Sequence, residues 1–270
     1  MTRSTWSALA FPAVLATMLT TMLAACDARK EPVPAGTSAD ASATQMPAAS
    51  TPRLLATPVH VELKAGQGCT ERCSEFKATW LHFTAAPELQ KALMAAVALP
   101  ADVSPQQVLT QAGQRFLKES EEGGGGWQQM LSARVENGQG RISIIVVETY
   151  DYTGGAHGMS TVRYLNWDPE QGKVLTLGDM LLPGKESAFW GEAQRAHQRW
   201  LAARPTDAPL GDGWPFVKAD TLALRPQGVE LKYLPYSIAP YSEGMPALML
   251  PYQRLSGILK PAYLPAAPAR

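Results

Sequence analysis

The chain has 270 residues, with 24 basic and 24 acidic side chains. A formal net charge of zero and the lack of a basic stripe exclude an electrostatic case for binding nucleic acid. Charged residues are only 18% and hydrophobic residues 46%. With the N-terminal leader and linker set aside, roughly 210 residues remain, enough for one large or two small domains.

Residues 1–25 read as a lipoprotein signal peptide. Arg3 supplies a positive start, and Ala8 to Met22 is an uncharged, largely apolar run. Leu23-Ala24-Ala25-Cys26 resembles the bacterial lipobox, in which the signal is cut before a cysteine that is then lipidated. The alternatives are a plain secretory signal or a spanning helix with a stray cysteine. Lipidation of Cys26 implies a membrane anchor, because each buried CH₂ contributes about 0.8 kcal/mol. The expected location is the cell envelope of a Gram-negative-type bacterium, facing the periplasm, on either the inner or the outer membrane. Residues 26–55 are rich in Ala, Ser, Thr and Pro and read as a disordered tether.

The body divides in sequence into 56–155, 156–262 and a tail, 263–270. Val59, Val61 and Leu63 alternate with polar residues as a half-buried strand, and a second strand follows from Glu75 to Phe83. Cys69 and Cys73 lie between them. In an oxidising compartment a disulfide is the first reading, and a metal pair is the rival. Pro87 to Leu99 reads as a helix. Ser104-Pro105-Gln106-Gln107 is a helix start with a cap, a first-turn proline and a capping-box glutamine. Two strands, Trp127 to Glu136 and Arg141 to Tyr150, flank a tight turn at Asn137-Gly138.

The second of these holds the most apolar run of the body, Ile142-Ser143-Ile144-Ile145-Val146-Val147. It reads as a central strand buried on both faces. It feeds Tyr150-Asp151-Tyr152-Thr153-Gly154-Gly155-Ala156-His157-Gly158, whose glycines allow backbone shapes closed to other residues. Beyond this corner, Thr161 to Trp167 and Val174 to Leu177 read as paired strands, and Ser187 to Leu201 as an amphipathic helix. Thr221 to Leu224 and Val229 to Leu234 form a hairpin. Pro235 to Gly244 is a loop, Ala247 to Leu250 a strand, and Pro251 to Leu259 a closing helix. The fold class is α+β: antiparallel sheets with packed helices, in two small subdomains.

Two blocks carry a family resemblance. The first is Tyr152-Thr153-Gly154-Gly155-Ala156-His157-Gly158 with Tyr164-Leu165-Asn166-Trp167-Asp168 and Gly172 to Leu181. The second is Leu231 to Gly244 followed by Leu250-Pro251-Tyr252-Gln253-Arg254-Leu255. Together they resemble the DUF3298 domain, found in RsiV-type extracytoplasmic anti-sigma factors and beside the catalytic domain of PdaC-type peptidoglycan deacetylases. Residues 56–155 occupy the place of the DUF4163-type α+β region that usually precedes it. RsiV-like proteins bind lysozyme, so the resemblance implies a binding or sensing module. Their cytoplasmic segment and spanning helix have no counterpart expected here, so anti-sigma activity is not carried over.

The residues themselves point to no catalytic set. His60, His82, His157 and His197 form no metal-binding spacing, and neither a nucleophile elbow nor a phosphate loop is present. No cofactor or metal is expected. His157 has three readings: it shapes the glycine corner, it contacts ligand, or it acts in catalysis. The loop at 235–244 is the stronger candidate. Pro235, Pro240 and the nearby Pro246 stiffen it, and Tyr236, Ile238 and Tyr241 are large side chains in an expected surface loop. Alternatively these aromatics fold back onto the sheet. Tyr241 is expected to point outward most, shaped by Pro240. The candidate ligand contacts are therefore Tyr236, Ser237, Ile238, Pro240, Tyr241, Thr153 and His157. The expected partner is a lysozyme-type muramidase or peptidoglycan. The alternatives are a peptidoglycan-modifying enzyme and a structural envelope lipoprotein.

Overall fold

The computed structural model describes residues 54–65, 73–204, 210 and 213–266. The expected signal peptide, the expected lipobox with Cys26, nearly all of the expected tether, and Cys69 lie outside the described residues. The expected Cys69–Cys73 bridge therefore lies outside them too.

Six strands form the larger sheet, in sequence order: β1 (Thr57–Lys64), β2 (Glu75–His82), β3 (Gln128–Asn137), β4 (Ser143–Tyr152), β5 (Met159–Asp168) and β6 (Lys173–Leu175). All neighbours are antiparallel except β2 and β3, which are parallel. That pair departs from the antiparallel expectation. Two helices, α1 (Pro87–Ala95) and α2 (Pro105–Glu122), make the crossover that parallel neighbours require. Ser104 caps α2 by accepting from the Gln107 N–H, and Pro105 starts it.

As its apolar run dictates, β4 is buried on both faces. Ile145 and Val147 pack with Phe76, Trp80, Leu93 and Leu109 under α1 and α2. Ile144 and Val146 pack with Val162 and Ala223 on the opposite face. Full burial of each such side chain contributes about 1.5–3 kcal/mol. The expected division between 56–155 and 156–262 falls in the link between β4 and β5, and the sheet runs through it.

The strand expected over Val174 to Leu177 stops at Leu175. Thr176 caps a short helix, α3 (Leu177–Met180), in a reciprocal capping box with Asp179. Helix α4 (Glu186–Ala202) then packs on a small sheet of β7 (Thr221–Arg225), β8 (Gly228–Lys232) and β9 (Ala247–Pro251). The closing helix is one turn, α5 (Tyr252–Leu255). Leu259 beyond it bridges to Leu181 as extended chain instead of continuing the helix.

Buried Asn166 joins the two sheets. Its Nδ2 donates to the Leu222 carbonyl, and its Oδ1 accepts from the Leu224 N–H, both at 2.8 Å. At the mouth of the same end, Arg141 grips the buried Asp168 through two hydrogen bonds of 2.7 and 2.8 Å. This holds the β5–β6 turn, where Asp168 also accepts from the backbone of Glu170 and Gln171.

Candidate functional site

The β4–β5 link is a corner because its glycines permit it. Gly154 and Gly155 have φ of 105° and 93°, which a side chain rarely adopts. Gly158 is needed for a different reason. A Cβ there would sit 2.4 Å from the Tyr150 ring. The corner thus lies flat against Tyr150, and His157 is left exposed at its edge.

The loop after β8 meets this corner. The His157 and Tyr241 rings are stacked, with centroids 3.8 Å apart and 19° between planes. The Tyr241 hydroxyl donates to the Gly158 carbonyl at 2.9 Å. His157 Nδ1 lies 3.0 Å from the same carbonyl, which can only accept, so this nitrogen carries the proton. In the neutral imidazole Nε2 is then the acceptor, and the Tyr236 hydroxyl donates to it at 3.3 Å. Tyr236 and Tyr241 centroids are 5.7 Å apart, completing a three-ring cluster.

Tyr236 is backbone-strained. Its φ of 66° lies in the left-handed region, uncommon for a bulky side chain, and it is 49% exposed. Such a conformation costs on the order of 1–3 kcal/mol and persists only where the surroundings enforce it. Here Tyr233 before it and Ile238 and Ala239 after it are all buried and anchor the loop. Pro240 leads into a single 3₁₀ turn, Tyr241–Glu243. Glu243 pairs with Arg204, whose guanidinium lies 4.8 Å from the Trp200 ring centroid at the end of α4.

Two sequence expectations for this loop are corrected. Ile238 is fully buried and packs with Leu231 and Leu248, so it is core and not a contact surface. The apolar side chain turns inward because the core opens beneath it. Tyr241 is half-buried against His157, and Tyr236 is the tyrosine that faces outward. Thr153 is exposed on the corner, and Ser237 and Pro240 are partly buried beside the rings.

A shallow hollow of about 330 Å³ adjoins the cluster through Tyr150. Met130, Ser132, Glu148 and Met245 line it as well. Met130 is 39% exposed, and thioether side chains repack readily against varied partners. Sequence reasoning missed these methionines because they are far apart in the chain and have no spacing signal. Two larger hollows are one of about 810 Å³ near Leu54 and Leu55 and one of about 580 Å³ reaching β5, which shares Thr149 and Thr161 with the shallow hollow. Among the described residues, no three His, Cys, Asp or Glu side chains group to hold a metal. Also among them, no helix is long and apolar enough to cross a membrane.

The fold and the ring cluster define an α+β protein that presents a braced tyrosine loop at a glycine corner. Residues 178–253 match the model of a family described as "Protein of unknown function (DUF3298)". The crystal structure of a DUF3298 family protein from Pseudomonas aeruginosa PAO1 is 35% identical in sequence. It superposes with a TM-score of 0.69, covering 80% of this chain and 99% of that one. A DUF3298 family member from Bacteroides fragilis NCTC 9343 is 17% identical, with a TM-score of 0.64 over 78% of this chain and 95% of its own. It shares the fold. No curated protein matches the chain. This chain belongs to the DUF3298 family.

Proposed function

We propose that the protein is a lipid-anchored, periplasm-facing binding module whose ligand is a lysozyme-type muramidase. The observation that carries this reading is Tyr236: a strained, outward-facing aromatic, braced by His157 and Tyr241 on a proline-stiffened loop. Rigid aromatics lose little entropy on binding and serve as anchors in protein recognition. The adjoining methionine-lined hollow offers an adaptable apolar surface beside them. The resemblance of the two sequence blocks to RsiV-type proteins, which bind lysozyme, supports the same ligand class. No residue is assigned to catalysis. Lipidation of Cys26 tethers the module, and export to an oxidising compartment favours a Cys69–Cys73 disulfide, read as a mass shift on reduction.

Peptidoglycan is the second reading, favoured by the flat His157–Tyr241 stack, whose ring faces suit apolar contact with a sugar. Capture of lysozyme by the full-length protein tests the first reading, with insoluble peptidoglycan as the parallel bait. Loss of lysozyme capture in a Pro240→Ala/Tyr241→Ala variant is expected. Capture unchanged by that variant removes the loop from the mechanism.

A further inference from the structure

The hollow of about 580 Å³ crosses the face of β3, β4 and β5 beside Ala96 and Val97 and reaches the edge of β5. Strand β6 pairs only with the Asn166–Asp168 end of β5. Further back, the small sheet closes part of the gap, and the Tyr164 N–H donates to Thr221 Oγ1 at 2.7 Å. Arg163 of β5, Lys232 of β8 and Asp220 just before β7 line the remaining space. On its wall, Asp151 accepts from Gln129 Nε2 at 2.5 Å, and the Thr149 and Thr161 hydroxyls are 2.8 Å apart.

The charges here are uncommitted. Elsewhere, Arg134, Arg141 and Arg225 each hold a carboxylate. Among the described residues, Arg163, Lys232 and Asp220 make no ion pair or side-chain hydrogen bond. The larger hollow near Leu55 differs in this respect, because its two arginines, Arg134 and Arg141, are already paired. Opposite charges on one wall largely cancel at long range, so each acts locally, as a partner for a ligand group of the opposite sign within hydrogen-bonding reach. The volume falls within the range of about 300–1,000 Å³ usual for small-ligand sites.

We propose that this hollow binds a short peptide bearing both a carboxylate and an ammonium group, the chemistry of a cell-wall stem peptide. Arg163 and Lys232 receive the carboxylate as charge-assisted donors. Asp220 and the remaining oxygen of Asp151 receive the ammonium. The threonine hydroxyls meet the peptide amides. The source of the peptide rests on the envelope reading above, but the site does not depend on muramidase binding. Two of the segments that line the hollow continue into the tyrosine cluster. Asp151 immediately precedes Tyr152 and the corner, and Lys232 lies four residues before Tyr236.

The test is calorimetric titration of the full-length protein with the free tetrapeptide stem, and with its N-acetylated, fully amidated counterpart. Saturable binding of the charged peptide is expected, with at least about tenfold weaker binding of the neutral one. Arg163→Gln and Lys232→Gln are each expected to weaken binding by about tenfold, while Tyr236→Ala leaves it unchanged. Thermal melts establish that the variants fold. Amide shift changes in the wild-type protein, expected at Thr149, Thr161 and Val162, locate the site without any variant. No binding, or equal binding by the Arg163→Gln/Lys232→Gln double variant, overturns the proposal. Lysozyme capture with no peptide binding would overturn this site alone. Peptide binding through Arg163 and Lys232 with no lysozyme capture would overturn the muramidase reading alone.

Discussion

The His157 imidazole and the Tyr241 ring lie face to face at 3.8 Å, and both side chains donate to the carbonyl of Gly158. One backbone oxygen thus ties the glycine corner to a loop 83 residues away in the chain. Tyr241→Phe keeps the stack and loses one donor, so a loss of about 1 kcal/mol is expected in urea denaturation. Tyr241→Ala loses the stack as well, and about 2 kcal/mol is expected. Equal costs for the two variants would show that the stack contributes nothing.

Tyr236 gives a prediction of opposite sign for stability and binding. Asparagine tolerates the left-handed region far better than tyrosine. Tyr236→Asn is therefore expected to hold stability within about 1 kcal/mol of wild type, or raise it, while weakening ligand binding. A large loss of stability would mean that the ring packs more than it recognises. Thermal melting and lysozyme titration on the same sample separate the two effects.

Acid is expected to destabilise the fold in two stages. His197 is buried, its Nε2 has no partner among the described residues, and burial pushes its pKa below 6.5. The unfolded chain takes up this proton first, so stability falls as pH drops below about 6.5. For Asp168, burial alone pushes upward, but Arg141 and the turn N–H groups outweigh it and hold the carboxyl below its usual range. Lys173 and the Thr176 N–H hold Asp179 down at about 2. Both carboxylates are depressed in the fold, so their contribution is complete above about pH 4 and is lost as pH falls towards 2. In urea midpoints measured against pH, His197→Leu is expected to remove the first decline and keep the second. A single decline in the wild type, confined below pH 4, would contradict the role of His197.

Asn166 carries the junction of the two sheets. Asn166→Leu leaves the Leu222 carbonyl and the Leu224 N–H without their partner, and each buried unpaired group costs about 1–3 kcal/mol. A loss of about 2–4 kcal/mol is expected in equilibrium denaturation. A loss below 1 kcal/mol would show that the sheets are held by apolar packing alone.

The strands and long helices were legible because their signals are local. The run from Ile142 to Val147 has no polar face, and Ser104-Pro105 is a helix start on any backbone. The parallel β2–β3 pair was not legible, because alternation in a strand carries no information on the direction of its neighbour. The capping box of Thr176 and Asp179 is present as a spacing, but the apolar Val174, Leu175 and Leu177 carry a competing strand signal. Of the site, the meeting of corner and loop was foreseeable from two aromatic segments with rigid backbones. Which tyrosine faced solvent was not, since it depends on the sign of φ at Tyr236 and on a core opening under Ile238. The hollow of Arg163 and Lys232 left no mark, because its charges converge only through the contact of β5 with β7 and β8.

The most direct measurement is calorimetric titration of lysozyme into the full-length protein, wild type and Tyr236→Ala, with muramidase activity followed in parallel. Binding at micromolar or lower Kd with loss of muramidase activity is predicted for the wild type. At least about a tenfold weakening is predicted for Tyr236→Ala. No heat of binding with undiminished muramidase activity, or equal affinity in the variant, would contradict recognition of a muramidase through the braced tyrosine loop.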